Sequence, residues 1–129
     1  MKRTINLKNK SVECACNALT PFLFTQIFHE DFLRAIVGFR GYAGKDTNTL
    51  TDDEVAELTK RTEVFSKLAF IMAKQAEIKD AKALMDLSLV DFYEWLSDIE
   101  PQAFSDAVVM TELLALWQGN SNTTVESKN

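Results

Sequence analysis

Near the N-terminus, polar and apolar residues alternate. Thr4-Ile5-Asn6-Leu7 is one such run. Ser11-Val12-Glu13-Cys14-Ala15-Cys16 is a second, with Ala15 counted as small and outward, and the polar Lys8-Asn9-Lys10 lies between them. Two runs of period two around a short polar turn predict a β-hairpin. Such a hairpin is marginal alone and must pack on something larger. After it the period changes. Thr20 suits an N-cap and Pro21 the first helical position. Leu23, Phe24, Ile27 and Phe28 then share one face at helical spacing, and Phe32, Leu33, Ile36 and Val37 resume the pattern. Residues 29–31 are polar or charged, and they read either as a break between two helices or as the wet face of one.

Gly38, Gly41 and Gly44 argue for a loop running through Asn48. Their spacing is not a nucleotide-binding fingerprint, because no buried strand precedes them and no helix opens directly after. Thr51-Asp52-Asp53-Glu54 is a capping box, so a long helix is expected from there to about Glu77. Leu58, Phe65, Leu68, Met72 and Ala76 form its stripe, widened by Val64 and Ile71. Its second half, Leu68-Ala69-Phe70-Ile71-Met72-Ala73, is apolar almost all round and marks a central helix. Lys79 to Met85 reads as a loop or a ragged extension. Ser88 resembles a further cap, and Phe92, Trp95, Leu96 and Ile99 follow at i, i+3, i+4 and i+7. Pro101 should end that helix. A last helix is expected from about Gln102 to Gln118, stopped by Gly119-Asn120. The remaining residues to Asn129 are too polar to offset their ordering entropy, so a disordered tail is expected. The pattern therefore predicts a mainly α domain over residues 1–118. It has four to five helices and a small N-terminal β-hairpin, and a polar tail covers residues 119–129.

Composition narrows the function more than the fold. The chain has 129 residues, ordinary for one domain, and a chain this long buries a core without metals or disulfides. A net charge of −5 repels phosphate, so no nucleic-acid partner is expected. Lys2, Arg3, Lys8 and Lys10 read as a solvated terminus. No apolar stretch is long enough for a signal peptide or a membrane span, so no membrane partner is expected either. Cys14 and Cys16 fall on one face of a strand as small buried thiols, and a disulfide between them would be strained. With His29 as the single histidine, no zinc set assembles in one chain.

Candidate chemistry is sparse. Glu30 and Asp31 flank His29 and make a conceivable acid-base cluster, but no nucleophile motif accompanies it, and a solvent-facing helix joint is the plainer reading. Asp52-Asp53-Glu54 sits where a helix N-terminus attracts negative charge, so capping explains it. Calcium would need spaced oxygen ligands that the neighbouring sequence lacks. No catalytic residue, metal or cofactor is expected. The nine Phe, two Trp and two Tyr fall mainly on helical stripes. Trp95 and Trp117 suit either a core or an interface. Chemistry alone thus points to a helical binding or scaffolding protein.

The order of motifs adds a resemblance. An extended N-terminal segment leads to Thr20-Pro21, an aromatic helix from Phe22 to Phe28, and the turn Phe28-His29-Glu30-Asp31. Leu68-Ala69-Phe70-Ile71-Met72-Ala73-Lys74, then Glu94-Trp95-Leu96, then Leu116-Trp117 and a polar tail follow. This series, over most of the chain, resembles the tail assembly chaperones of long-tailed phages and prophages of Gram-positive bacteria. The family's turn is Phe-Gly-x-Asp, and His29 stands at its glycine. Histidine occupies a left-handed backbone at some cost, so the resemblance implies a turn there, with Phe28 and Phe32 entering the core from two helices.

The resemblance also implies a non-catalytic role in the host bacterial cytoplasm, absent from the mature virion. The implied partner is the tape measure protein, kept soluble while tail tube subunits gather around it. Contact with the tail tube protein would run through a frameshifted C-terminal extension joined at the polar tail, and a homo-oligomer is a further partner the resemblance allows. Phe39, Tyr42 and Tyr93 are expected as exposed partner contacts. The competing expectations are a virion structural or head-tail completion protein and a bacterial helical adaptor; an enzyme built around His29 ranks behind both.

Overall fold

The computed structural model describes residues 2–43 and 45–119, without the side chain of Arg40. Strands β1 (Lys2–Leu7) and β2 (Lys10–Ala15) form the antiparallel hairpin the alternation predicts, with Ile5 opposite Val12. Ile5, Leu7 and Cys14 face inward and are buried. β2 packs on helix α4 (Thr62–Glu77) and β1 on helix α7 (Ala107–Gln118). The hairpin turn is tied down as well. The Asn9 amide donates to the Asp98 carbonyl at 3.2 Å, and its oxygen accepts from the Glu100 N–H at 3.3 Å.

The other elements are α1 (Thr20–Phe28), α2 (Phe32–Ile36), α3 (Asp52–Thr59), α5 (Ala81–Met85) and α6 (Leu89–Leu96), with 3₁₀ turns at Val37–Tyr42, Thr47–Thr49 and Ala103–Ser105. The class is mainly α, as the periodicity predicts, with seven α-helices among the described residues. α4 is the centre: Phe65 to Ala73 is buried without interruption. One apolar cluster joins the hairpin, α1, α2, α4, α6 and α7.

Several elements differ from expectation, each for a local reason. The helix expected from Asp52 to Glu77 is two helices. Its capping box is present, with the Thr51 hydroxyl accepting from the Glu54 N–H at 3.1 Å. The chain then turns at Lys60-Arg61, between two threonines. The Thr59 hydroxyl donates to the Ala56 carbonyl and the Thr62 hydroxyl to the Thr59 carbonyl, both at 3.2 Å. Such side chains offer the backbone an alternative to the helical ladder. The last helix starts at Ala107, not Gln102, because the Asp106 carboxylate caps it by accepting from the Val108 N–H at 2.9 Å. α6 has the expected Ser88 cap but ends at Leu96, ahead of Pro101. The ambiguous segment before it holds the short helix α5, capped by Asp80. Gly38 and Gly41 lie in a 3₁₀ turn, not an open loop. The expected disordered tail, beyond Gly119, lies outside the described residues.

Candidate functional site

The interruption between the two apolar stripes is a turn. α1 ends at His29, whose φ of 57° and ψ of 38° are left-handed and whose N–H closes the helix on the Thr25 carbonyl at 2.8 Å. Asp31 then caps α2, accepting from the Arg34 N–H at 3.3 Å. Phe28 and Phe32 enter the core from the two helices. Each meets Phe24 edge-on, at centroid distances of 5.3 and 5.1 Å. Glu30 holds the turn to α4: it accepts from the Lys67 ammonium at 2.7 Å, and Glu63 pairs with the same ammonium at 3.0 Å. The Lys67 nitrogen lies 5.2 Å over the Phe28 ring. Burial pushes this ammonium down, but hydrogen bonds and charge from Glu30 and Glu63 outweigh it and raise Lys67 above its ordinary value. His29, Glu30 and Asp31 therefore do three separate jobs in building a turn.

The remaining positions of the motif series belong to the interior. Thr20 is not the N-cap, which is Leu19; it is the first residue of α1 and fully buried. Its hydroxyl donates to Gln75 Oε1 at 2.6 Å and accepts from the Asn17 N–H at 3.1 Å. Gln75 Nε2 in turn donates to Asn17 Oδ1 at 2.9 Å. Pro21 stands in the first turn of the same helix. Phe70, Met72 and Ala73 are buried in α4, and the Lys74 nitrogen lies 6.0 Å over the Phe70 ring. Phe70 meets Phe28, Phe92 and Trp95 edge-on. Trp95 and Leu96 are half-buried against the core, as is Trp117, whose ring is 4.6 Å from that of Phe32. These positions set the packing of α1, α2, α4, α6 and α7 around one aromatic cluster.

The exposed candidates divide. Tyr93 is 61% exposed. Tyr42 is half-buried and packs against the core. Phe39 is only 6% exposed, against expectation, because the 3₁₀ turn from Val37 directs it inward against Phe65, with centroids 5.9 Å apart. The surface holds apolar residues that helical stripes alone do not single out: Phe22, Leu33, Val37, Met85, Leu89, Val90 and Val108. Leu33 and Val37 are a correction, since the stripe that runs on from Phe32 predicts them inward and only Phe32 and Ile36 of that set are buried. Phe22 precedes Leu23 and Phe24 off their face, and Val90 falls out of register with Phe92, whereas Leu89, three residues before Phe92, fits the helical spacing and is exposed all the same. Leu33 and Val37 line a groove with Ile36, Trp117 and Gln118, with a volume of about 540 Å³.

Cys14 and Cys16 are buried thiols, as expected. Burial, with nearby Cys16 and Glu13, pushes Cys14 up to about 12. Burial also raises Cys16, whose thiol donates to the Leu116 carbonyl at 3.2 Å. Among the described residues, no group of three or more His, Cys, Asp or Glu side chains could hold a metal, and no helix is long and apolar enough to cross a membrane. Compared with known proteins, the chain matches no family model, no curated protein and no solved structure.

Proposed function

We propose that this chain is a tail assembly chaperone of a long-tailed phage or prophage. It binds the tape measure protein, keeps it soluble before assembly and promotes the gathering of tail tube subunits around it. The reading rests on the motif series, and the observation that carries it furthest is His29. The family pattern has glycine at this position, and here a non-glycine residue adopts the left-handed backbone that glycine favours. Support also comes from the exposed apolar residues Phe22, Leu89, Val90 and Tyr93 on a small acidic domain. An apolar surface of this kind suits reversible cover of apolar helical faces. Several copies on one tape measure chain would gain from avidity, and their acid would keep the loaded complex dispersed.

Co-expression with the long helical protein encoded beside this gene tests the reading. The expected result is a partner that is insoluble alone and soluble in a joint complex with this chain. An insoluble partner in both cases, with this chain eluting alone, would move the assignment to a virion component or a bacterial adaptor. Presence of the chain in purified particles would then select the former.

A further inference from the structure

The exposed apolar residues and the acid of this chain coincide. α1 leaves Phe22, Thr25, Gln26 and His29 in solvent, at i, i+3, i+4 and i+7, while its opposite face is core. α5 lies alongside, where the Gln26 amide donates to the Met85 carbonyl at 2.7 Å. α6 follows directly, its Phe92 ring 4.9 Å from that of Phe28 at the end of α1. Met85 thus stands beside the outer face of α1, and Leu89, Val90 and Tyr93 follow it on the next helix, the four each between 38% and 63% exposed. Leu89 and Val90 sit one helical turn before Tyr93, so the three form one apolar strip along α6.

The charge of the same segment is mostly acidic. Asp80, Asp86, Asp91, Glu94, Asp98 and Glu100 face a single lysine, Lys82, between residues 80 and 100. This segment carries a net −5, the whole formal surplus of the chain. Only part of that acid is used internally: Asp91 completes the Ser88 cap, Asp80 caps α5, and Asp86 lies 3.7 Å from Lys82. Glu94 is exposed next to Tyr93.

We propose that the face formed by α1, α5 and α6 is a docking surface for a cationic amphipathic helix, one whose apolar stripe is flanked by Lys or Arg. Phe22, Met85, Leu89, Val90 and Tyr93 receive the stripe, and the acids of residues 80–100 receive the flanking charges. The charge selects this occupant over the others. A second copy docked on the same face would set acid against acid, and an anionic lipid surface or a nucleic acid would be repelled. The inference deepens the proposed function and rests on it only for which protein carries the helix.

The test uses the full chain and a synthetic Leu/Lys amphipathic peptide of about 18 residues, with a Leu/Glu peptide of the same pattern as control, read by fluorescence anisotropy. The Leu/Lys peptide should bind, weaken with salt, and lose about tenfold in affinity with Val90→Ser plus Tyr93→Ser. Glu94→Lys plus Asp98→Lys should reduce both affinity and salt dependence. Leu33→Ser and Glu57→Lys, on other surfaces, should change neither. All these side chains are exposed, so each variant should fold, which circular dichroism checks. Equal binding of both peptides, or binding that responds to Leu33→Ser and not to the α6 variants, overturns the proposal. So does self-association of the chain that the α6 variants abolish, which would make a second copy the occupant. If the Leu/Lys peptide binds as described but the chain fails to solubilise the tape measure protein, the surface stands and the chaperone reading falls. Solubilisation that survives the α6 variants has the opposite meaning.

Discussion

At single positions the fold makes two demands that can be weighed. His29 holds a left-handed backbone, which costs a residue with a Cβ about 1–2 kcal/mol. His29→Gly should therefore stabilise the domain, by about 0.5–1 kcal/mol after the entropy glycine adds to the unfolded chain. His29→Val should destabilise it by at least as much, and urea unfolding of the three proteins gives the order. Cys14 makes the second demand. Its thiol is pushed up to about 12 from an unfolded value near 9.0. The native state keeps a proton that the unfolded state releases between those values. Stability is therefore full below pH 9 and falls as pH rises toward 12, by a total on the order of 4 kcal/mol. Cys16 acts in the same direction. Urea midpoints measured from pH 7 to pH 10 should fall beyond pH 9, and Cys14→Ala should flatten most of that fall. Parallel curves for the two proteins would show that the buried thiol is not its source.

Among the elements, the polar knot at the start of α1 matters as much as the aromatic cluster below it. The Thr20 hydroxyl and Gln75 bond each other in the interior, and the Asn17 N–H and side-chain oxygen complete the set at its edge. Thr20→Val keeps the shape and removes both hydrogen bonds of the hydroxyl. It should cost about 1–3 kcal/mol, read as a lower urea midpoint at unchanged slope. Much of this level was legible in the sequence. Alternation gave the hairpin, the box at Thr51 and the cap at Ser88 gave two helix starts, and the greasy run from Leu68 to Ala73 gave the centre. Breaks were harder to read. The turn at Lys60-Arg61 depends on threonine hydroxyls bonding backward to carbonyls, and the late start of α7 depends on one carboxylate, Asp106. Neither disturbs the apolar period, so periodicity passes over both. Phe39 was misplaced for a related reason: glycines signal irregular backbone but do not say that a 3₁₀ turn will carry a phenylalanine inward.

For the molecule as a whole, the informative feature is what the core leaves outside. The motif residues Phe28, Phe70, Met72, Trp95 and Trp117 build the interior, so they specify the fold, and the partner surface has to be sought elsewhere. Tyr93 was the one expected contact that stands well out of the core. Its neighbours Leu89 and Val90 were legible only once α6 was placed, because their exposure is a property of packing and not of sequence. The acid of residues 80–100 lies in the same stretch of chain. A chain carrying both Val90→Ser and Tyr93→Ser should therefore keep its unfolding midpoint within about 0.5 kcal/mol of the native chain while losing partner affinity. Chaperoning itself is best examined with purified parts. The denatured tape measure protein would be diluted into buffer with increasing amounts of this chain, and light scattering followed. The proposed function predicts that scattering falls in a saturable way, at several copies of this chain per tape measure chain, and that a bovine albumin control leaves it unchanged. Scattering that this chain does not lower at any ratio would contradict it.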